Sequence, residues 1–276
     1  MGRILSPLIH SDVRGDKDRV RPTMATAHAL RAARAARVET IRVHGTTVYV
    51  AAHPLAATEL RVVRLRTPSP LAAWCARNAV AEAIVGGFFV RGGKHDFRPL
   101  GELRTGGFRR RTTPFDAPWD GLRACVAATG AETRIARRPD LPQRPKGDLL
   151  QAGPLLVADG RSVIDGEDAE GFSAASHQFD SDITQGRYPR AALALAKDRI
   201  LAVACDGRAN DENGLTLAEL ATALEDLGAT HAMNLDGGGS TSLVSDGELC
   251  NVPREAHGVA LAGGRRIPTA LAFLPR

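Results

Sequence analysis

The sequence predicts an α+β fold in which mostly antiparallel strands pack against a few helices. Short apolar runs are separated by the turn signals His44-Gly45, Asp159-Gly160 and Asp246-Gly247, the mark of β-hairpins. Helical periodicity is confined to two stretches, 70–82 and 216–228. With 276 residues, 43% of them apolar, the chain is long enough to bury a sizeable core.

The elements follow in order. Residues 41–43 and 48–51 flank the first hairpin turn, and 60–66 continues as a strand. A helix spans 70–82, with Pro70 in its first turn and Leu71, Trp74, Asn78 and Ala81 along one side. Strand resumes over 83–90. Residues 104–120 and 137–148, rich in Arg, Pro and Gly, read as surface loops. Residues 154–158 and 162–164 bracket the second hairpin turn. Two strands, 191–196 and 199–205, are joined at Lys197-Asp198, and the second runs out into Asp206-Gly207-Arg208. In the helix that follows, Leu217, Leu220, Leu224 and Leu227 recur at helical spacing, and Gly228 stands at the C-terminal cap. Thr216 and Glu219 form a capping box at its start.

The most informative stretch is Asn234-Leu235-Asp236-Gly237-Gly238-Gly239-Ser240. Three glycines leave backbone N–H groups uncovered and permit positive φ, so a phosphate or sugar can approach the main chain. They also set Asp236 at the lip of whatever the loop encloses. A flexible turn between strands is the competing reading. The order strand, Asp-Gly-Arg, capped helix, strand, Asp-Gly-Gly-Gly-Ser counts against it, because it puts Asp206, Arg208 and Asp236 at strand ends within about 30 residues.

Charge sets further bounds. Of 36 Lys/Arg and 31 Asp/Glu, eight and three fall in residues 1–37, which leaves 28 of each in the remainder. The basic excess therefore belongs to an N-terminal extension, 1–37, and the folded domain covers 38–276. The spaced Ala-Arg run at 29–37 reads as a solvated helix or a disordered tail more simply than as a nucleic-acid contact. Met24 is an alternative start. The first 40 residues lack the apolar core of a secretory signal and no run approaches membrane-spanning length, so a cytoplasmic location and no membrane partner are expected. Cys75, Cys125, Cys205 and Cys250 are widely spaced and fit neither a zinc site nor a dense disulfide framework; buried free thiols are the expectation. Oligomeric state is not legible.

Seven short motifs, in order, resemble the phosphodiester glycosidase family. They are Val85-Gly86-Gly87-Phe88-Phe89, Gln151-Ala152-Gly153-Pro154, Tyr188-Pro189-Arg190-Ala191, Asp206-Gly207-Arg208, the Asn234 to Ser240 loop, Asn251-Val252-Pro253 and Arg265-Arg266-Ile267. Three departures stand out: Val85 where the family has Asn, Ala191 where it has Thr, and a 91–114 segment crowded with Arg, Lys and Gly.

The resemblance implies a hydrolase that cleaves a sugar-1-phosphodiester or nucleotide sugar at the anomeric carbon. The leaving phosphomonoester needs less general-acid help than an ordinary glycoside, where two carboxylates share the work. The site still needs cations for phosphate and a carboxylate at the anomeric centre. Arg190 and Arg208, with Arg187 or Arg265, fit the first need through their planar forks. Gly237, Gly238, Gly239 and Ser240 add backbone donors. Gly86, Gly87 and Gly153 join the substrate-binding set through their motifs. Asp236 is the first choice of catalytic carboxylate, Asp206 the second and Glu219 the third. Each has a structural alternative: Arg190 pairing with a carboxylate, Asp206 shaping a turn, Glu219 capping its helix. Asn234 and Asn251 fit either sugar hydroxyls or loop backbone.

His177 reads as a base or as an exposed loop residue. Asp180 and Asp182 invite a calcium ion but lack the full ligand set of a calcium loop. A divalent cation bridging phosphate and Asp236 is a further option. Two other functions compete with the hydrolase: a non-catalytic sugar-phosphate-binding protein, suggested by Val85, and a related phosphodiesterase that cuts P–O.

Overall fold

The computed structural model describes residues 38–91, 96–130, 132–164 and 186–276, which fall in one compact unit, 35–276. The basic extension, His177 and the Asp180/Asp182 pair lie outside the described residues.

In chain order the strands begin β1 (Val38–Val43), β2 (Thr46–Pro54) and β3 (Thr58–Ser69), followed by helix α1 (Leu71–Asn78). Next come β4 (Ala83–Val85), β5 (Phe89–Arg91), β6 (Phe97–Pro99), β7 (Leu103–Thr105), β8 (Phe108–Arg109) and the single turn α2 (Trp119–Leu122). The middle of the chain supplies β9 (Ala124–Thr129), β10 (Glu132–Arg137), β11 (Asp148–Gln151), β12 (Leu155–Ala158) and β13 (Arg161–Ser162). The last third supplies β14 (Arg190–Ala196), β15 (Arg199–Cys205), α3 (Leu217–Asp226), β16 (Ala229–Asn234), β17 (Leu243–Ser245), β18 (Glu248–Leu249) and β19 (Ile267–Pro275).

They form a seven-stranded sheet in the order β1-β2-β15-β14-β16-β12-β13 and two five-stranded sheets, β10-β9-β11-β7-β8 and β18-β17-β4-β19-β3. A two-stranded ribbon pairs β5 with β6. The strand pairs are antiparallel throughout. An α+β fold dominated by antiparallel sheet is thus what the chain adopts.

β14 and β15 show why these segments sit at the centre. Ala191 and Leu193 of β14, with Ile200, Ala202 and Ala204 of β15, face a core shared with residues of both five-stranded sheets. Ala192 and Ala194, with Leu201, Val203 and Cys205, face the other way, onto Leu217, Leu220, Ala221 and Leu224 of α3. A strand buried on both faces reads as an unbroken apolar run, as these do.

Local signals were realised where the sequence carried them. His44 and Gly45 both have positive φ, 47° and 75°, as a two-residue hairpin turn requires. The capping box at Thr216 and Glu219 is complete, and Gly228 stands just past the helix end with φ 80°. Cys75, Cys125 and Cys205 are buried thiols, and Cys250 is half-buried.

Three expectations need correction. The strand read over 83–90 is broken at Gly86, where the backbone crosses Thr269 so closely that a Cβ would lie 2.5 Å from its Oγ1. The first helix stops at Asn78 because Ala79 turns left-handed and its neighbour Val80 bonds back to the Cys75 carbonyl; Glu82 is buried, and its Oε1 accepts from Ser245 Oγ and the Asp246 N–H. The segments read as surface loops contain the β7–β8 hairpin, α2 and a short 3-10 turn at Arg138–Asp140, elements too brief to show periodicity. No helix among the described residues is long and apolar enough to cross a membrane.

Candidate active site

β16 lies between β14 and β12, and its end carries the three-glycine loop off the middle of the sheet. The loop is tied to three separate segments. Leu235 N donates to Ala191 O (2.8 Å), Asp236 N to Gly86 O (3.0 Å) and Gly238 N to Pro189 O (2.9 Å). Each glycine lies close to a different neighbour. A Cβ on Gly237 would meet Pro189 O at 2.9 Å; one on Gly238, which has φ +58°, would meet Arg208 Nη1 at 3.2 Å. One on Gly239 would lie 3.0 Å from both Arg265 Nη2 and Glu255 Cδ. The loop is therefore a tightly packed floor, with the Arg208 guanidinium against one residue and an Arg–Glu pair against the next.

Asp236 is the unusual group on this floor. Its Oδ1 accepts from the Gly237 N–H at 3.0 Å. Oδ2 is shut off from solvent and has no hydrogen-bond partner among the described residues, although the residue as a whole keeps some exposed surface. Burial pushes its carboxyl up from 3.8 to about 6, with the nearby Ser240 hydroxyl, Arg265, the Gly237 N–H and Arg91 pulling the other way. The Ser240 hydroxyl is close enough to exert that pull, yet it makes no hydrogen bond of ordinary geometry. Like its buried neighbours Thr241 and Ser242, it has no side-chain partner among the described residues.

Beside Asp236 stands a second carboxylate that the motifs did not reveal. Glu255 takes the fork of Arg265, with Nε donating to Oε1 at 2.9 Å and Nη2 to Oε2. The Arg265 hydrogen bond holds the Glu255 carboxyl below its usual range against the effect of burial, and the charges of Arg265, Arg91 and Arg208 add to that. Burial acts to lower the Arg265 pKa, but Glu255 and Asp236 together outweigh it and raise it. One arginine thus serves two carboxylates whose surroundings push their pKa values apart, the arrangement that separates acid–base roles in hydrolase sites. Glu255 lies in an irregular stretch with no period, and the sequence marks only its flanks, Asn251-Val252-Pro253 and Arg265.

The structure brings Asp236, Gly237, Gly238, Gly239, Ser240, Arg208 and Arg265 together and gives the other sequence candidates supporting positions. Arg208, with φ 60°, lies over the Tyr188 ring at 5.3 Å and donates one bond, to Arg254 O at 3.2 Å; it makes no ion pair among the described residues. Of the four candidate phosphate arginines it is the one whose fork is least committed. Arg265 holds Glu255. Arg187 pairs with Glu219 and donates to Gly214 O. Arg190 is buried, with Nε on Leu215 O and Nη2 on Gly186 O.

Both oxygens of Glu219 are engaged, one by Arg187 and the other by the Thr216 N–H, which realises the capping alternative. Asp206 is a strut. Its Oδ2 accepts from the Tyr49 hydroxyl (2.9 Å) and its Oδ1 from the Val252 N–H (2.8 Å), which ties the Glu255-bearing segment to β15. Burial raises its pKa against the pull of those two bonds. Asn251 spans the loop, with Oδ1 on Leu243 N and Nδ2 on Thr241 O. Asn234 is buried under Gly153, whose Cβ would meet Asn234 O at 2.7 Å. Gly86 accepts from the Asp236 N–H, and Gly87 N bonds Thr269 Oγ1. Within the loop, the N–H groups of Gly237, Gly238 and Ser240 are taken by Asp236 Oδ1, Pro189 O and Gly237 O, and the Gly239 N–H has no partner among the described residues. Among the described residues no group of three or more His, Cys, Asp or Glu is placed to hold a metal ion.

A model of the phosphodiester glycosidase family matches residues 78–274, which takes in the loop, Arg208, Glu255 and Arg265. The chain belongs to this family. No curated protein matches it. Three solved structures share the fold of these phosphodiester glycosidases. The zebrafish N-acetylglucosamine-1-phosphodiester α-N-acetylglucosaminidase catalytic domain, auto-inhibited by its pro-peptide, superposes with a TM-score of 0.63 at 19% identity, over 87% of this chain and 82% of that one. A Synechocystis protein designated hypothetical gives 0.62 at 20% identity, over 87% of this chain and 61% of its own length. A Burkholderia pseudomallei protein designated exported gives 0.60 at 16% identity, over 83% and 74%. The chain thus spans less than two thirds of the Synechocystis protein.

Proposed function

We infer that this phosphodiester glycosidase hydrolyses a sugar-1-phosphodiester at the anomeric C–O bond, releasing free sugar and a phosphomonoester. The observation that supports this best is Asp236, a half-buried residue beside Arg265 whose Oδ2 has no partner among the described residues, near Arg208 and the Gly239 N–H, which are the least committed donors among those residues. A carboxyl brought to about 6 is largely ionised at neutral pH and still basic enough to take a proton. In the proposed step Asp236 accepts a proton from water as the water oxygen bonds the anomeric carbon. The C–O bond breaks and its electron pair leaves on the phosphate oxygen. Arg208 and the Gly239 N–H hold that phosphate, and the Arg265–Glu255 pair holds Asp236 in place. The phosphomonoester is a good leaving group, so no general acid is needed on its side.

Val85, which suggested a non-catalytic binder, is fully buried in the main apolar core. Phosphorus NMR in ¹⁸O-labelled water, over a panel of sugar-1-phosphodiesters that includes nucleotide sugars, tests the reading. Phosphate product without label means cleavage at carbon. Labelled phosphate means P–O cleavage instead, and no turnover on the panel favours the binding role.

A further inference from the structure

The β7–β8 hairpin lies outside the candidate active-site groups, and among the described residues it combines an open turn with an exposed aromatic and a run of arginines. Its two-residue tip is Gly106-Gly107, with φ 60° and 80°, and a Cβ at either glycine would meet nothing within 4 Å. Phe108, next to the tip, is 70% exposed, the most exposed large apolar side chain among the described residues. Arg109, Arg110 and Arg111 follow it, all exposed, and none forms an ion pair among the described residues. Arg110 reaches back to Thr105 and lies over the Phe108 ring at 6.0 Å.

Two features make this a displayed surface. Register sets Arg109 directly opposite Arg104, a like-charged cross-strand pair that costs stability, and only Arg104 has a carboxylate, Glu102, to offset it. The turn is also fixed from below: buried Asp148 accepts from the Gly106 N–H while bonding Arg61 and Val62 of β3. Arginines on an edge strand guard against edge-to-edge pairing, and β8 is an edge strand. That accounts for charge, but it leaves the solvated phenylalanine at the tip without a reason.

We propose that this hairpin is a contact for an anionic lipid surface, with Phe108 entering the headgroup layer and Arg109, Arg110 and Arg111 meeting the lipid charges. A convex tip with one aromatic and no groove fits a flat, yielding headgroup layer. Single-stranded nucleic acid calls for a groove that tracks its backbone with stacking platforms along it. Each basic residue held near an anionic leaflet is worth about fivefold in partitioning, so three arginines amount to on the order of a hundredfold. A partly inserted phenylalanine adds roughly tenfold.

The test is co-sedimentation of the full chain with phosphatidylserine-rich and with pure phosphatidylcholine vesicles, at low and high salt. The variant R109S/R110S/R111S should lose on the order of a hundredfold in binding to the anionic vesicles at low salt, and F108S roughly tenfold at either salt. The basic 1–37 segment is kept in every protein, so it contributes equally to each. Both variants alter exposed side chains, and unchanged melting temperatures show that they fold. Variants that bind like the parent overturn the proposal. So does equal binding to neutral vesicles, no vesicle binding at all, or capture of a single-stranded oligonucleotide that vesicles fail to displace.

Discussion

Asp148 and Asp236 are both aspartates withdrawn from water, and the chain treats them in opposite ways. Asp148 is 2% exposed and accepts from Arg61 Nε (3.0 Å), Val62 N (2.9 Å) and Gly106 N, so its charge is met on every side. Asp236 receives one bond, from its own neighbour Gly237, and its Oδ2 has none. Burial without partners disfavours the ionised form, and the fold tolerates that cost only where neighbouring structure enforces it. A carboxylate with both oxygens bonded joins segments together. One left unmatched keeps its reactivity. Asp206, both of whose oxygens are bonded, belongs with Asp148 despite its place in a motif.

Exchanging the two aspartates' roles by mutation is the sharpest way to break this contrast. Asp236→Asn should lower kcat by about a thousandfold, at the upper end of what removal of one electrostatic group costs. The same variant should be more stable than the parent at pH 7. The folded-state carboxyl lies near 6, above its unfolded value, so ionising it on the way up from about pH 4 to 6 costs folding free energy, on the order of 1–3 kcal/mol. Thermal melts at pH 7 and at pH 4 check this: the gain should be present at the first and vanish at the second. A variant that is inactive and also less stable at pH 7 would sink the contrast.

Asp148→Ala should do the reverse. It strands Arg61 and two backbone donors, so about 3 kcal/mol of stability is lost, a shift of roughly a hundredfold in the folding equilibrium, while kcat of the remaining folded protein is unchanged. Urea titration alongside steady-state kinetics reads both quantities. The smallest effect is the pH dependence of the parent enzyme. With Asp236 as base, kcat/KM should rise about tenfold per pH unit up to about 6 and level off above it. A profile that falls through 6 would make Asp236 an acid.

Much of the fold was legible because its signals are local. Positive φ at His44-Gly45, the Thr216/Glu219 box and the two-faced apolar run of β14 each depend on residues within a few positions. The loop around Asp236 was legible for the same reason. The commitments of the arginines were not. Arg190 is taken up by a carbonyl 25 positions away, at Leu215, and nothing in Tyr-Pro-Arg-Ala announces it. Glu255 and Arg265 meet across ten positions of irregular chain. The closure of β19 onto β3 brings together residues some two hundred positions apart, a pairing that no local pattern encodes. Motif matching found the positions; long-range contacts decided which side chains stayed available.

The three-glycine floor bears on how such a protein can diversify. Gly237 is blocked by a backbone carbonyl, Gly238 by a guanidinium and its own left-handed backbone, and Gly239 by an ion pair. No single neighbouring change relieves all three, so a lineage that alters one glycine gains no foothold for altering the next. New substrate preferences are therefore expected in walls that do not touch the floor, which excludes the Glu255 residue itself, packed as it is against Gly239.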